Sequence, residues 1–246
     1  MGIPLLIPLG NGSQHNNDEL RFLLRSVEKN LGGISTIYLM TSFKPDWIVE
    51  DNGLVVEPLP DKYTDDKDAN LIFKTNETIR KHNIGKFVWC ADDNVFLKPI
   101  NADEIPIIHN HRDNSVFYKE TLTKWQHRVR NTLEWAKSIG VNLPHNYECH
   151  CPQTFEGQKI LENMVEYYPN QKTIYTLYRV VTNTWQGSKD QRVFKHTFEL
   201  PMDESVTQIT DGELMAKPFM GYNDQCVDRV LARLKQLFPN KSKWEK

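Results

Sequence analysis

Asp92 and Asp93 stand side by side directly after an apolar run, Lys86-Phe87-Val88-Trp89-Cys90, in a chain of 246 residues. A short run of large and β-branched apolar residues reads as a buried strand. Two carboxylates at the exit of such a strand repel each other, and burial strips away their water. A divalent cation relieves both costs and can grip a diphosphate. That is the chemistry required where a nucleotide sugar loses its leaving group, with the cation as Lewis acid and template. The plainer reading of Ala91-Asp92-Asp93-Asn94 is a pair of solvated loop acids, so the rest of the chain has to discriminate.

Other residues could share that chemistry. Leu9, Gly10, Asn11, Gly12 and Ser13 end the first apolar run with turn residues just before a helix, where free backbone N–H groups suit a phosphate or a nucleobase. Asn17 is a helix-capping type. Arg21 and Arg25, four apart, share one helix face, and the guanidinium is shaped for bidentate phosphate contact; a solvated, ion-paired face is the ordinary alternative. His150 has the titration range for general acid–base work and can also ligate a metal. Arg179 lies inside an apolar segment and needs an anionic partner if buried. Tyr222-Asn223-Asp224 reads first as a helix N-cap. Cys149-His150-Cys151 is spaced too tightly for a common zinc knuckle and has no second paired motif.

Composition narrows the classes. Net charge is −2 and hydrophobic residues make up 39% of the chain, which fits a globular protein without a global basic field. Lys119, Lys124, Arg128, Arg130 and Lys137 interleave with Trp125, His127 and Trp135, a pattern suited to a nucleic-acid strand or to the solvated face of an amphipathic helix. No apolar run approaches the ~20 residues of a membrane helix, and Met1–Leu9 lacks a basic start, so the expected compartment is cytoplasmic. The four cysteines make no disulfide framework. Neither a P-loop nor a dinucleotide-binding glycine pattern is present.

The elements that must position these residues follow from periodicity. Strands are expected over Ile3–Leu9, Thr36–Thr41, Leu54–Glu57 and Lys86–Cys90. Helices are expected from Asn17 or Asp18 to Gly32, over Asp68–His82, Lys124–Ile139 and Phe155–Tyr168, and over Asp224–Phe238; Ile174–Val181 fits helix or strand. Alternating strands and helices argue for an α/β layer with a mainly parallel sheet, whose ligands bind beyond the carboxyl ends of its strands. One domain is expected over 1–246, with a first half over 1–100 and a decorated, mostly helical second half over 101–246.

Several blocks resemble the Stealth family of sugar-phosphate transferases. Asn16 to Lys29 (NNDELRFLLRSVEK) is similar to that family's NDELRYSLRSIEK block. Ile37–Met40 and Pro45-Asp46-Trp47 resemble its next strand and PxWL turn. Phe87 to Pro99 resembles FIYFNDDMFLxxP, with Asp92 and Asp93 on the acidic pair. His150-Cys151-Pro152 resembles a His-x-Pro block, Arg179 a later arginine, and Leu237 to Glu245 the LFPxPSxFE close. The family's opening YTWVDGSD is replaced here by Ile7-Pro8-Leu9-Gly10-Asn11-Gly12-Ser13, without the acid. That departure resembles shorter glycosyltransferase-like relatives from bacteria and phages.

The resemblance implies a GT-A-like transferase with a Rossmann-like, mainly parallel sheet flanked by helices. Its implied chemistry is glycosyl transfer from a nucleotide sugar, a UDP-sugar first, to a hydroxyl acceptor; a glycan is one candidate, and the basic and aromatic residues over Lys119–Lys137 add a hydroxymethylated base in DNA if the source is a phage. Asp92, Asp93 and His150 would bind Mn²⁺ or Mg²⁺, and Asp93, His150 and Arg179 would serve catalysis. Leu9–Ser13, Asn17, Arg21 and Arg25 would hold the nucleotide. Sugar-1-phosphate transfer and non-catalytic nucleotide-sugar binding are the alternatives.

Overall fold

The computed structural model describes residues 2–10, 13, 15–163, 172–198, 208–223 and 227–246. Its main sheet starts with β1 (Ile3–Pro8), whose residues Leu5, Leu6 and Ile7 have no exposed surface. Burial on both faces is what a continuous apolar run provides, and it places β1 in the middle of a parallel sheet. Alternation then divides its side chains. Leu5 and Ile7 join Leu20, Leu23, Leu24 and Val27 of α1 (Asp18–Asn30) on one face. Leu6 joins Ile72 and Ile79 of α2 (Lys67–His82) on the other.

The sheet is completed by β2 (Ile34–Thr41), β3 (Leu54–Pro58), β4 (Lys86–Trp89) and β6 (Gln153–Glu156), in the order β3-β2-β1-β4-β6. The first four strands run parallel, and β6 pairs antiparallel with β4. The chain moves outward from β1 to β2 and β3, then returns across to β4. The order therefore reverses between β1 and β4, and a crevice opens there at the carboxyl ends.

A smaller sheet carries β5 (Asn94–Phe96), β7 (Lys195–Phe198) and β8 (Phe219–Tyr222), with β8 between the other two. Its apolar face packs under α6 (Val227–Leu237) through Val95, Met220, Val230, Leu231 and Leu234. Other helices include α3 (Lys124–Ser138), α4 (Gly157–Asn163) and α5 (Ile174–Thr182).

Two expectations change. Phe155 does not start a helix: it belongs to β6, opposite Phe87 of β4, and α4 begins at Gly157. Pairing along β4 supplies hydrogen bonds that local helical periodicity does not reveal, and it covers an open sheet edge. Residues 164–168 of that expected helix lie outside the described residues. The ambiguous segment Ile174–Val181 is helix α5, with all nine residues of Ile174–Thr182 buried. A run apolar on every side carries no period, so its type depends on its surroundings. The closing helix is described over Val227–Leu237, and its expected start at Asp224 lies outside the described residues. Among the described residues, no helix is long and apolar enough to cross a membrane.

Candidate active site

The crevice at the β1–β4 reversal opens into a cavity of about 710 Å³. Pro8 and Gly10 follow from β1, Trp89, Ala91, Asp92 and Asp93 from β4, and Lys67, Asn70, Leu71 and Lys74 from one face of α2. Trp125 and Arg128 of α3, Glu148, His150, and Ile174 and Tyr175 of α5 form the opposite wall. The acidic pair and the turn after β1, expected to act together, do line one cavity.

The cavity is rich in acids: among the described residues, Glu19, Asp61, Asp65, Asp66, Asp68, Asp92, Asp93 and Glu148 line it, with Lys67, Lys74 and Arg128 as fixed cations. Asp92 and Asp93 keep part of their surface open to it but lie deep. Burial, then repulsion from Asp93 and Glu19 against the pull of Lys67, raises the Asp92 carboxyl to about 7. Burial also raises Asp93, while Lys195, Lys67 and a bond from the Asn94 amide hold it down. Burial lifts Asp68 to about 6 in spite of its 2.7 Å ion pair with Arg128. Carboxylates raised by burial and crowding are poised to take up positive charge. The donor chemistry of Asp92 and Asp93 therefore fits a divalent cation with open positions. The expected trio with His150 is not assembled: among the described residues, no three His, Cys, Asp or Glu side chains gather as a metal cage. Cys149 and Cys151 are buried, free thiols.

His150 lies on the cavity wall in a left-handed backbone conformation, φ 44°. Its ring sits between Trp125 and Tyr175, with centroids 6.1 Å and 5.7 Å away. A non-glycine residue held at positive φ stores backbone strain, and such residues concentrate at functional sites. Glu148, two residues earlier, accepts from the Thr176 backbone N–H at 2.9 Å and hydroxyl at 2.5 Å. Burial, offset in part by those bonds, raises its carboxyl to about 7.

Other expected residues are placed elsewhere. Arg25 donates through Nε and Nη2 to Glu245 at 2.8 Å each and through Nη1 to the Phe238 carbonyl at 3.0 Å. Arg21 pairs with Asp18 and Glu245 and lies 4.1 Å from the centroid of the Trp47 ring. Both arginines fasten the C-terminal residues to α1 and do not line the cavity, because a buried carboxylate 220 positions away claims them. Arg179 is also corrected. It is 1% exposed and donates to Gln153, to the Thr154 carbonyl and to Thr184, so its charge is spent on interior acceptors.

Around the turn, Leu9 turns its side chain into the core, and its carbonyl accepts from Lys74 Nζ at 3.2 Å. Ser13 donates to Glu19 at 2.9 Å and accepts from the Asn17 backbone N–H at 3.1 Å. Asn17 caps α1 in a left-handed conformation without a side-chain bond and does not line the cavity. Asn11 and Gly12 lie outside the described residues.

Sequence reasoning missed Glu19, Lys67, Lys74, Glu148 and Tyr175 as site residues. Lys67 and Lys74 are seven apart, so the helical period of α2 could have placed them on one face. No local signal marks Glu148, whose importance comes from burial alone. Lys74 is 2% exposed and pairs with Asp61 at 2.7 Å.

The sequence matches no family model and no curated protein sequence. The Stealth resemblance therefore rests on its motif blocks alone. Among solved structures, the chain is similar to the apo structure of the bifunctional glycosyltransferase WbbM, with a TM-score of 0.53 and 9% sequence identity. The match covers 98% of this chain and 50% of that one, so this chain spans half the length of the structure it matches. At that identity the likeness speaks for architecture: a central, mainly parallel sheet flanked by helices, of the GT-A-like kind.

Proposed function

We propose that the chain is a glycosyltransferase that moves a sugar from a nucleotide-sugar donor to a hydroxyl acceptor. The observation carrying this reading is the half-buried acidic pair at the sheet's reversal point, lining a cavity large enough for a nucleotide sugar. Asp92 and Asp93 would hold a Mn²⁺ or Mg²⁺ ion, whose charge would offset that gathering on the leaving diphosphate. Lys67 sets fixed positive charge on the α2 wall, where leaving-group oxygens gain from it, whereas Lys74 is already held by Asp61 and the Leu9 carbonyl. Trp89, Trp125 and Tyr175 offer apolar faces that exclude water and pack against sugar rings. In the transfer, the acceptor oxygen bonds to the anomeric carbon and the bond from that carbon to the diphosphate oxygen breaks. The bonding pair leaves with the diphosphate, and the acceptor's proton passes to His150, a general-base type on the opposite wall.

The motif blocks favour one second reading, sugar-1-phosphate transfer. A panel of nucleotide sugars incubated with Mn²⁺ separates the two by product. Nucleoside diphosphate means glycosyl transfer, and nucleoside monophosphate means phosphosugar transfer. Saturable donor binding without turnover would instead favour a binding protein. Asp92→Asn and Asp93→Asn should each lower donor turnover by about 100-fold or more while melting like the parent. Full activity in both variants would sink the metal role.

A further inference from the structure

A second cavity, about 720 Å³, adjoins the first and shares Tyr63, Asp65, Asp66 and Arg128 with it. Its charge has the opposite bias. Lys62, Lys124, His127 and Arg128 line it, with Asp65 and Asp66 as the acids; Arg128 is paired with Asp68 at 2.7 Å and with Asp66 at 4.0 Å, which leaves Lys62 and Lys124 as the charges that bias the annex. Asp66 is engaged locally, since it caps α2 by accepting from the Ala69 backbone N–H. Lys124, His127, Arg128 and Asn131 fall on one face of α3 at helical spacing, so a single helix presents this wall. The ammonium groups of Lys62 and Lys124 form no ion pair among the described residues; Lys62 lies over the rings of Tyr63 and Phe73, at 5.7 Å and 5.1 Å.

We propose that this annex seats an anionic group of the acceptor, and that the acceptor is a saccharide carrying a phosphate or a carboxylate near its reacting hydroxyl. The proposal rests on the transferase reading above. An acid-lined chamber suits a cation-bound nucleotide and repels a bare anion, whereas the annex attracts one and opens onto the same cavity. Tyr63 and Trp125, near the junction, suit the C–H faces of sugar rings. A nucleic-acid strand would need several phosphate contacts along an extended basic track. Here two acids interrupt a short basic wall and the whole chain is net acidic, so the saccharide is favoured.

Calorimetric titration of the full chain with a neutral trisaccharide, its phosphorylated and uronate-bearing counterparts, and a single-stranded oligodeoxynucleotide tests this. One or both anionic sugars should bind at least tenfold more tightly than the neutral one, on the order expected for one charged hydrogen bond. The better of the two identifies the anion. Lys62→Gln/Lys124→Gln should erase the preference without changing metal-dependent donor hydrolysis. Equal binding of neutral and anionic sugars, a preference that survives the double variant, or preferential binding of the oligonucleotide would each overturn the proposal. Donor turnover with no preference for anionic sugars would overturn the annex assignment alone. Tight binding of the anionic sugar with no turnover of any donor would overturn the transferase reading.

Discussion

At the residue scale, the same side-chain types take opposite roles according to what surrounds them. Arg179 has interior acceptors on three other residues, and burial lowers its guanidinium to about 10. Arg179→Met should cost about 3 kcal/mol or more in urea unfolding, because the Gln153 and Thr184 oxygens and a strand carbonyl lose their donor. A phosphate-holding arginine would instead lose activity at unchanged stability, so the split between the two measurements decides its role. Glu148 permits a pH test. Its carboxyl stands at about 7 in the folded chain against an ordinary 4.5, so the folded state binds the proton more tightly than the unfolded state. Its contribution to stability is complete below the unfolded value and is lost as pH rises through about 7. The melting temperature of the parent relative to Glu148→Gln should therefore fall between about pH 5 and pH 8. A difference that stays flat across that range would contradict the assignment. Asp92 and Asp93 add drifts of the same sign to both proteins, whereas Asp68, whose charge helps to raise Glu148, shifts together with it.

At the element scale, two attachments hold the site's frame. The first ties the C-terminal residues to α1 through Glu245, whose fully buried side chain receives Arg25 and the Ser242 backbone N–H. Glu245→Ala should cost roughly 3–5 kcal/mol by leaving the inward-facing Arg25 charge unmatched. Donor turnover per folded molecule should persist, whereas nucleotide-binding arginines would lose it. The second is the start of α4, where a Cβ on Gly157 would lie 2.4 Å from the Ile84 carbonyl oxygen and 2.9 Å from that of Gly85. Backbone atoms cannot swing aside, so Gly157→Ala should lower the melting temperature and loosen β6 from β4, seen as faster amide exchange in β6. These attachments show where periodicity stopped being informative. The stripe Leu20, Leu24 and Val27 reads as a helix without knowledge of its neighbours, and α1 forms there. Phe155 could not be assigned in the same way, because its strand is defined by a partner 68 positions earlier.

At the scale of the whole molecule, the site depends on bringing α1, α2, the β4 exit and α5 to one cavity. If Asp92 and Asp93 hold the cation as proposed, with no third ligand side chain gathered beside them among the described residues, cation and nucleotide should bind together. Mn²⁺ alone should shift the melting temperature little, and Mn²⁺ with a nucleoside diphosphate should shift it well beyond the sum of the separate shifts. Simple additivity would mean that the cation binds elsewhere. The acidic pair, its strand and the helix after the first turn were determined locally: apolar period, turn residues and the spacing of Asp92 after Trp89 suffice to place them. Which charges work at the site was decided only by tertiary structure. Arg21, Arg25 and Arg179 looked like phosphate ligands until buried oxygens distant in the chain claimed them, and Lys67, Lys74 and Glu148 became site residues only when folding placed them around the cavity. The physical reason is that a charge acts through its neighbours and its burial, and both are properties of packing rather than of spacing.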